Sequence, residues 1–236
     1  MQLINGLIVI ALGYLLGALP FGYILVRIRT GKDIRDVHSG RTGGTNAMRA
    51  AGKRVGILTG ILDILKGYLA VVLAGWLFPG NVWIAVLAPL AAVVGHNYSV
   101  FLLKLDKEGR LQFAGGAGGA PVFGGAVGLW YPSFFIILPV AAFIYYFVGY
   151  ASVTTLSAGV MSILVFAARA LLGYSPWEFV LYGVFALILQ VWALRPNIRR
   201  LLNGTERMHG YRARKKVSPR RSGKRRTSSI RGIAAR

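Results

Sequence analysis

Long apolar stretches alternate with short polar segments along most of this chain. One helical crossing of the hydrocarbon layer takes about 20 apolar residues. Between Arg110 and Arg169 there is no Lys, Arg, Asp or Glu, which is a longer gap than one crossing needs. This pattern predicts an all-α integral membrane protein. The apolar stretches cover roughly residues 3–26, 55–78, 82–103, 122–148, 151–172 and 177–194.

The charges between these stretches indicate how the chain crosses the membrane. Segment 27–54 holds eight Lys or Arg and two Asp, and the C-terminal tail is also basic. Because basic loops stay in the cytoplasm, both segments are expected there, with the N-terminus outside and 3–26 as a retained span. Segment 122–148 must then begin and end on the same side, so it is expected to form two short helices that turn near Trp130-Tyr131-Pro132. About seven spans are predicted, and six plus one re-entrant segment is the alternative.

Composition excludes several kinds of chemistry. The chain is 55% hydrophobic and 15% charged and has no cysteine, so disulfides and thiolate chemistry are excluded. Residues 195–236 hold fifteen Lys or Arg against the single acidic Glu206, out of a net charge of +21. We expect residues 1–210 to form the membrane domain and 211–236 to form a disordered cytoplasmic tail near anionic lipid. The tail lacks interleaved aromatics, so specific nucleic-acid binding is not expected.

The segment 39–53 contains the first candidate site. Gly43 and Gly44 would let backbone N–H groups face an anion, and Thr45 and Asn46 would cap the helix that follows. A hydroxyl at Ser39 and a forked cation at Arg49 suit phosphate oxygens. A phosphate site is therefore one interpretation, and a flexible loop with ordinary caps is the other.

Further polar groups occur near the ends of other spans. His96 would act as a proton carrier or a hydrogen-bond donor, or else as a packing histidine bonded to a carbonyl. Asp63 and Lys66 lie at i and i+3 and can pair on one helical face. All these groups lie at the predicted cytoplasmic ends, which points to one shared site. The other candidates are the glycine run with Gly115, Gly116 and Gly118, the hydroxyl of Ser152, and Asn197 and Glu206 beyond the last span.

The motifs, taken in order, resemble the bacterial acyl-phosphate:glycerol-3-phosphate acyltransferase family of the PlsY type. The resemblance covers roughly residues 8–208, nearly everything but the tail. A single motif would be weak, whereas five in the same order are specific. They lie at 14–22, at the Ser-Gly-x-x-Gly-x-Thr-Asn loop of 39–46, and at 62–67, 95–98 and 197–206.

This resemblance implies a seven-helix fold in the bacterial inner membrane with an active site facing the cytoplasm. It implies acyl transfer from acyl phosphate to the 1-hydroxyl of glycerol 3-phosphate, giving lysophosphatidic acid and phosphate, with no cofactor and no metal. The oligomeric state is left open. The expected catalytic residues are Ser39, Arg49, His96 and Asn197. The expected substrate-binding residues are Gly43, Gly44, Thr45, Asn46, Gly115, Gly116, Gly118, Ser152 and Glu206.

The chain departs from the family pattern mainly in the second glycine-rich motif. Ala114 and Ala117 stand where the family has lysines, and Arg41 replaces an asparagine of the first loop. Lys104 or Lys107 would have to reach back to supply the missing charge. A second hypothesis is therefore a divergent paralogue that binds lipid or anions without acyl transfer. A third, a small transporter, depends only on the intramembrane Asp63, Lys66 and His96.

Overall fold

The computed structural model describes residues 2–105, 108–211 and 213. Nearly all the regular structure in this part of the chain is helical. Of the predicted tail it describes only residues 211 and 213, so the predicted disorder lies outside the described residues. The helices are α1 (Gln2–Ala18), α2 (Phe21–Thr30), α3 (Gly44–Ala51), α4 (Lys53–Leu77), α5 (Val82–Asn97), α6 (Gly119–Leu129), α7 (Ser133–Phe143), α8 (Ala151–Leu171) and α9 (Glu178–Leu202).

The first predicted span is two helices, not one. Pro20 has no N–H to continue the ladder, and the chain breaks between α1 and α2 at this residue. Two polar side chains bond to the carbonyls that flank the break. Lys66 Nζ donates to Leu19 O at 3.2 Å, and Ser99 Oγ donates to Ala18 O at 2.6 Å. The break therefore persists without leaving bare carbonyls among apolar helices.

The prediction of an all-α chain with a span over 82–103 is wrong in one segment. Helix α5 ends at Asn97, and an antiparallel hairpin follows, formed by β1 (Ser99–Leu105) and β2 (Leu111–Ala114). The apolar run after Tyr98 lengthened the apparent span because a short apolar run fits a helix or a strand equally well. The hairpin pairs Ser99 with Ala114, so the glycine run returns beside the end of α5.

The prediction of two short helices within 122–148 is confirmed. Helices α6 and α7 are separated by the turn at Trp130-Tyr131-Pro132, and a π-helical turn, Ile144–Val148, ends the second. Helix α9 continues to Leu202, beyond the predicted end at residue 194. This extension carries Asn197 on an ordered helix rather than in a loop.

The described helices present a mostly apolar surface around a small core. Four helical segments are long and apolar enough to cross a membrane, and three shorter ones are also apolar. Val93, Val122, Phe166 and Tyr182 are buried between α5, α6, α8 and α9. Glycine allows the closest approach: a Cβ on Gly124 would lie 1.9 Å from Ile64 O. This packing leaves a cavity at the end of the bundle where the polar loops meet.

Candidate active site

The described residues enclose a cavity of about 730 Å³ between the polar loops and the apolar helices. Four of the five sequence motifs contribute residues to its lining and the motif at 14–22 contributes none, so the polar groups converge as predicted. A second recess of about 750 Å³ adjoins it, with Arg41 and Arg200 lining both. Gly115 and Gly116 line this recess instead of the cavity. The predicted site residues in the cavity are Ser39, Gly43, Gly44, Thr45, Asn46, Arg49, His96, Gly118, Ser152, Asn197 and Glu206.

The first glycine loop leads into α3, with Gly43 as the N-cap and no capping side chain. The prediction that Thr45 and Asn46 cap this helix is therefore wrong, since both lie in its first turn. The Asn46 amide nitrogen instead lies 2.9–3.2 Å from the carbonyl oxygens of Ile34, Val37 and Arg41, which share its two N–H donors. Asn46 thus stabilises the conformation of the loop, and its amide nitrogen bonds to protein carbonyls rather than to a substrate.

The two glycine loops are hydrogen-bonded into one layer. Thr42 N donates to Gly115 O at 3.1 Å, and Gly116 N donates to His96 O at 2.8 Å. A Cβ on Gly116 would lie 1.9 Å from His96 Nε2, so only glycine allows this approach. The layer fixes the position of the glycine run relative to the first loop. His96 lies directly against it.

A cluster of three buried ionisable side chains lies next to this layer. Lys66 Nζ is 2.8 Å from Asp63 Oδ1, which confirms the predicted i, i+3 pair. His96 Nδ1 is 3.6 Å from the same oxygen, a neighbour that spacing along α4 did not reveal. All three side chains are at most 4% exposed, so the pairing offsets the cost of charge among apolar helices. Asp63 and His96 both line the cavity.

Glu206 connects two other predicted residues. Ser152 Oγ donates to Glu206 Oε2 at 2.6 Å, and Asn197 Nδ2 donates to Glu206 Oε1 at 3.1 Å. Glu206 is only 9% exposed, and among the described residues Asn197 Oδ1 is buried without a hydrogen-bond partner. Helix α8, helix α9 and the segment that follows α9 therefore place a hydroxyl, an amide and a carboxylate on one cavity wall.

Arg49 has a partner that no sequence pattern indicated. Its Nη2 lies 2.5 Å from His209 Nε2, which must accept because a guanidinium only donates. Burial, and then the charge of Arg49, lower the pKa of His209 to about 4. His209 reaches this place through the bond from its N–H to Gly149 O at 2.7 Å. It follows the last motif with no repeat or spacing that would single it out.

Arg41 is the other residue whose part in the site was not predicted. Its Nη1 donates to Gly116 O at 2.9 Å, and its Nη2 donates to Ala193 O. Burial, followed by the nearby charge of Arg200, lowers the pKa of Arg41. Lys104 does not reach the cavity: its Nζ is 3.9 Å from Asp33 Oδ2 and its side chain is 58% exposed. Lys107 lies outside the described residues.

Comparison with known proteins shows the family to which this chain belongs. Residues 7–204 match the family model described as glycerol-3-phosphate acyltransferase. The chain belongs to the glycerol-3-phosphate acyltransferase family. It is 39% identical over 206 residues to the glycerol-3-phosphate acyltransferase of Rubrobacter xylanophilus, covering 87% of this chain and 96% of that one. It is 35% identical over 227 residues to glycerol-3-phosphate acyltransferase 3 of Dehalococcoides mccartyi, covering 88% and 97%.

Two solved structures share the fold of this acyltransferase. Both are crystal structures of PlsY, an integral membrane glycerol 3-phosphate acyltransferase. The glycerol 3-phosphate form has a TM-score of 0.74 and 30% identity, covering 87% of this chain and 96% of that one. The lysophosphatidic acid form has a TM-score of 0.70 and 29% identity, covering 87% and 95%. The predicted family, enzyme class and multi-pass membrane character are confirmed, and a paralogue without acyl transfer is not favoured.

The cavity of this acyltransferase suits negatively charged substrates. Arg41, Arg49, Arg200 and Arg207 line it, against Asp63 and Glu206 as the only described carboxylates there. Asp63 is paired with Lys66, and Glu206 accepts bonds from neutral donors. Guanidinium groups bind phosphate oxygens through charge-assisted, forked hydrogen bonds. The cavity lining therefore has an excess of positive charge that can bind phosphate groups, next to neutral hydrogen-bonding groups.

Proposed function

We propose that the enzyme takes its acyl group from acyl phosphate and binds both substrates in the one cavity. A single observation carries this proposal: basic and polar side chains and apolar side chains line the same cavity. Its apolar lining includes Phe123, Ile137, Leu138 and Ala158, and its polar lining includes Arg49 and Asn197. An acyl chain with a phosphate head suits such a lining, since the chain packs against apolar side chains and the head binds the arginines.

The residues take different parts in holding the acceptor. Arg49 and Ser39 hold the phosphate of glycerol 3-phosphate, and the backbone of Gly43, Gly44 and Thr45 faces the same anion. Asn197 Oδ1, which no described group engages, accepts a hydrogen bond from a glycerol hydroxyl. Glu206 orients Ser152 and Asn197 through its two bonds. His96 positions the glycine layer through its carbonyl.

The reaction needs positioning more than a protein nucleophile. Acyl phosphate is a mixed anhydride and is already activated. The 1-hydroxyl oxygen of glycerol 3-phosphate attacks the carbonyl carbon, and the bond from that carbon to the phosphate oxygen breaks. The hydroxyl proton passes to the departing phosphate, so the products are lysophosphatidic acid and inorganic phosphate. Aligning two anions and stabilising the carbonyl oxyanion supply the rate enhancement.

Seven helical segments support the proposed topology. The four long and three shorter apolar segments would each cross the bilayer, with α1 and α2 together forming the first crossing. The cavity then faces the cytoplasm, on the side of the basic 27–54 segment. The relatives named above come from bacteria, in keeping with the cell membrane as the location.

Purified protein in detergent tests the donor. Acyl phosphate and labelled glycerol 3-phosphate should give labelled lysophosphatidic acid and equimolar phosphate, whereas acyl-coenzyme A in place of acyl phosphate should give none. Arg49→Ala should raise the KM for glycerol 3-phosphate by about 10-fold or more while folded yield changes less. Arg54→Ala is the matched control, because Arg54 is exposed nearby and does not line the cavity. No product above a boiled sample would refute the donor assignment, and equal losses of yield and affinity would make Arg49 structural.

Single cysteines test the orientation. The chain has no native cysteine, so each introduced thiol reports alone. Lys32→Cys lies in the basic segment and Tyr174→Cys in the turn between α8 and α9, and both positions are exposed. An impermeant maleimide added to intact cells should label the second and spare the first. Labelling of both or neither would contradict seven crossings with a cytoplasmic cavity.

A further inference from the structure

Arg41 lies where the cavity and the adjoining recess meet. Its two bonds to Gly116 O and Ala193 O hold the guanidinium between the glycine run and α9. A guanidinium has five N–H donors, so these two bonds leave others for a ligand. Both spaces include Arg41 among their lining residues. The side chain is therefore anchored and still accessible.

No described carboxylate forms a salt bridge with Arg41. The described carboxylates in the two spaces, Asp63 and Glu206, have other partners. The like charge of Arg200, which also lines both spaces, acts on Arg41. Two guanidinium groups that line the same spaces with no described counter-ion cost free energy, both by repulsion and by desolvation. An anion between them would offset that cost.

Arg41 also touches the part of the chain from which charge is missing. Ala114 lines the recess and Ala117 lines the cavity, one on each side of Gly116, to which Arg41 donates. Both alanines stand where the family pattern has lysines. Arg41, which belongs to the first glycine loop, thus places a positive charge beside this glycine run.

We propose that Arg41, together with Arg200, binds the phosphoryl group of the acyl phosphate donor. This inference rests on the proposed function and adds a second phosphate subsite to the one at Arg49. The surroundings of the two arginines distinguish the subsites. Arg49 lies near Glu206, whose wall of amide and hydroxyl suits a polyol phosphate. The described groups that bond to Arg41 are backbone carbonyls, and the like charge of Arg200 acts on it, so this position suits the donor's phosphate group.

Steady-state kinetics with both substrates varied tests this subsite. Arg41→Asn should raise the KM for acyl phosphate by about 10- to 100-fold, because at least one charge-assisted bond is lost, and leave the KM for glycerol 3-phosphate within about twofold. Adding Ala117→Lys to Arg41→Asn should lower the KM for acyl phosphate again by about 10-fold, since it returns a cation to the same glycine run. Product inhibition by inorganic phosphate should weaken in parallel in Arg41→Asn, so its inhibition constant should rise with the KM for acyl phosphate.

Controls separate charge from folding. Arg54→Asn should behave as wild type, because Arg54 is exposed and lines neither the cavity nor the recess. If Arg41→Asn is poorly folded, Arg41→Lys keeps the charge and should retain donor affinity to within about 10-fold. An unchanged KM for acyl phosphate in a well-folded Arg41→Asn would overturn the proposal, as would an equal rise in both KM values. Because wild-type turnover is measured alongside, such a result leaves the donor assignment standing.

Discussion

Ser152 Oγ donates a 2.6 Å hydrogen bond to Glu206 Oε2, joining the first turn of α8 to the segment that follows α9. Glu206 Oε1 also accepts from Asn197. The carboxylate is therefore the point at which three separate stretches of chain are fixed relative to one another. Its effect on catalysis follows from what it holds in place.

Replacing Glu206 should impair the enzyme in proportion to the bonds that are lost. Glu206→Ala leaves Ser152 and Asn197 without their acceptor, so kcat/KM should fall by about 10- to 100-fold. Glu206→Gln keeps one oxygen for Asn197 and an amide that can donate to Ser152, and should lose less. Kinetics on both variants, with melting curves in detergent, check this. Equal losses in the two would mean that the negative charge matters rather than the hydrogen bonds.

Stability should depend on pH through His209. Its folded pKa of about 4 lies below the unfolded value of 6.5, so between these values the unfolded state binds more protons. Stability should therefore rise with pH across this window, by about 1 kcal/mol once solvent screening of the half-exposed ring is discounted. Melting temperatures of wild type and His209→Gln between pH 4.5 and 7 give the comparison. The variant, whose amide oxygen still accepts from Arg49, should show a flatter profile, and identical slopes would contradict this origin.

Gly116→Ala should disrupt the glycine layer. Its Cβ would lie 1.9 Å from His96 Nε2, which forces the loop or the ring to move and costs about 2 kcal/mol. The loss of kcat/KM should exceed what the fraction of unfolded protein explains, because the same loop carries the bond to Arg41. Gly75→Ala is the matched control, since a Cβ at Gly75 meets nothing within 4 Å. A fully active Gly116→Ala would show that the contact with His96 is dispensable.

Breaking the Asp63–Lys66 pair should be worse than removing both charges. Asp63→Leu leaves Lys66 buried without its carboxylate, at a cost of about 3–5 kcal/mol. Asp63→Leu combined with Lys66→Met removes the buried charges together and should cost less than either single change. Thermal unfolding in detergent of the two singles and the double provides the cycle. Additive losses would show that the two side chains act independently.

Removing residues 214–236 should leave catalysis unchanged. The truncation keeps Tyr211, whose ring packs 6.4 Å from that of Tyr146, and keeps His209 beside Arg49. Turnover and both KM values in detergent should stay within about twofold, because the removed cations are expected to act on the lipid surface. Binding to vesicles is unsuitable as a readout for a membrane-spanning protein, so the assay is kinetic. Lost turnover in a well-folded truncation would assign the tail to the site.

The helices and the membrane class could be predicted from the sequence, because apolar runs of about 20 residues have few other interpretations. The two short helices α6 and α7 were also predictable, since basic segments on both sides fixed the parity of crossings. The hairpin β1–β2 was not, because the run after Tyr98 is too short for its periodicity to separate strand from helix. The break at Pro20 carried a local signal, but its support by Lys66 and Ser99 comes from other helices.

The residue types that can bind an anion, and the family that the ordered motifs resemble, can be read from the amino-acid sequence. Which of these groups share one cavity wall depends on how the helices pack. Ser152, Asn197 and Glu206 meet because α8 and α9 pack together, and Arg49 finds His209 160 residues away. Arg41 likewise reaches Gly116 across 75 residues. Such contacts follow from packing in three dimensions, which no local spacing or charge pattern encodes.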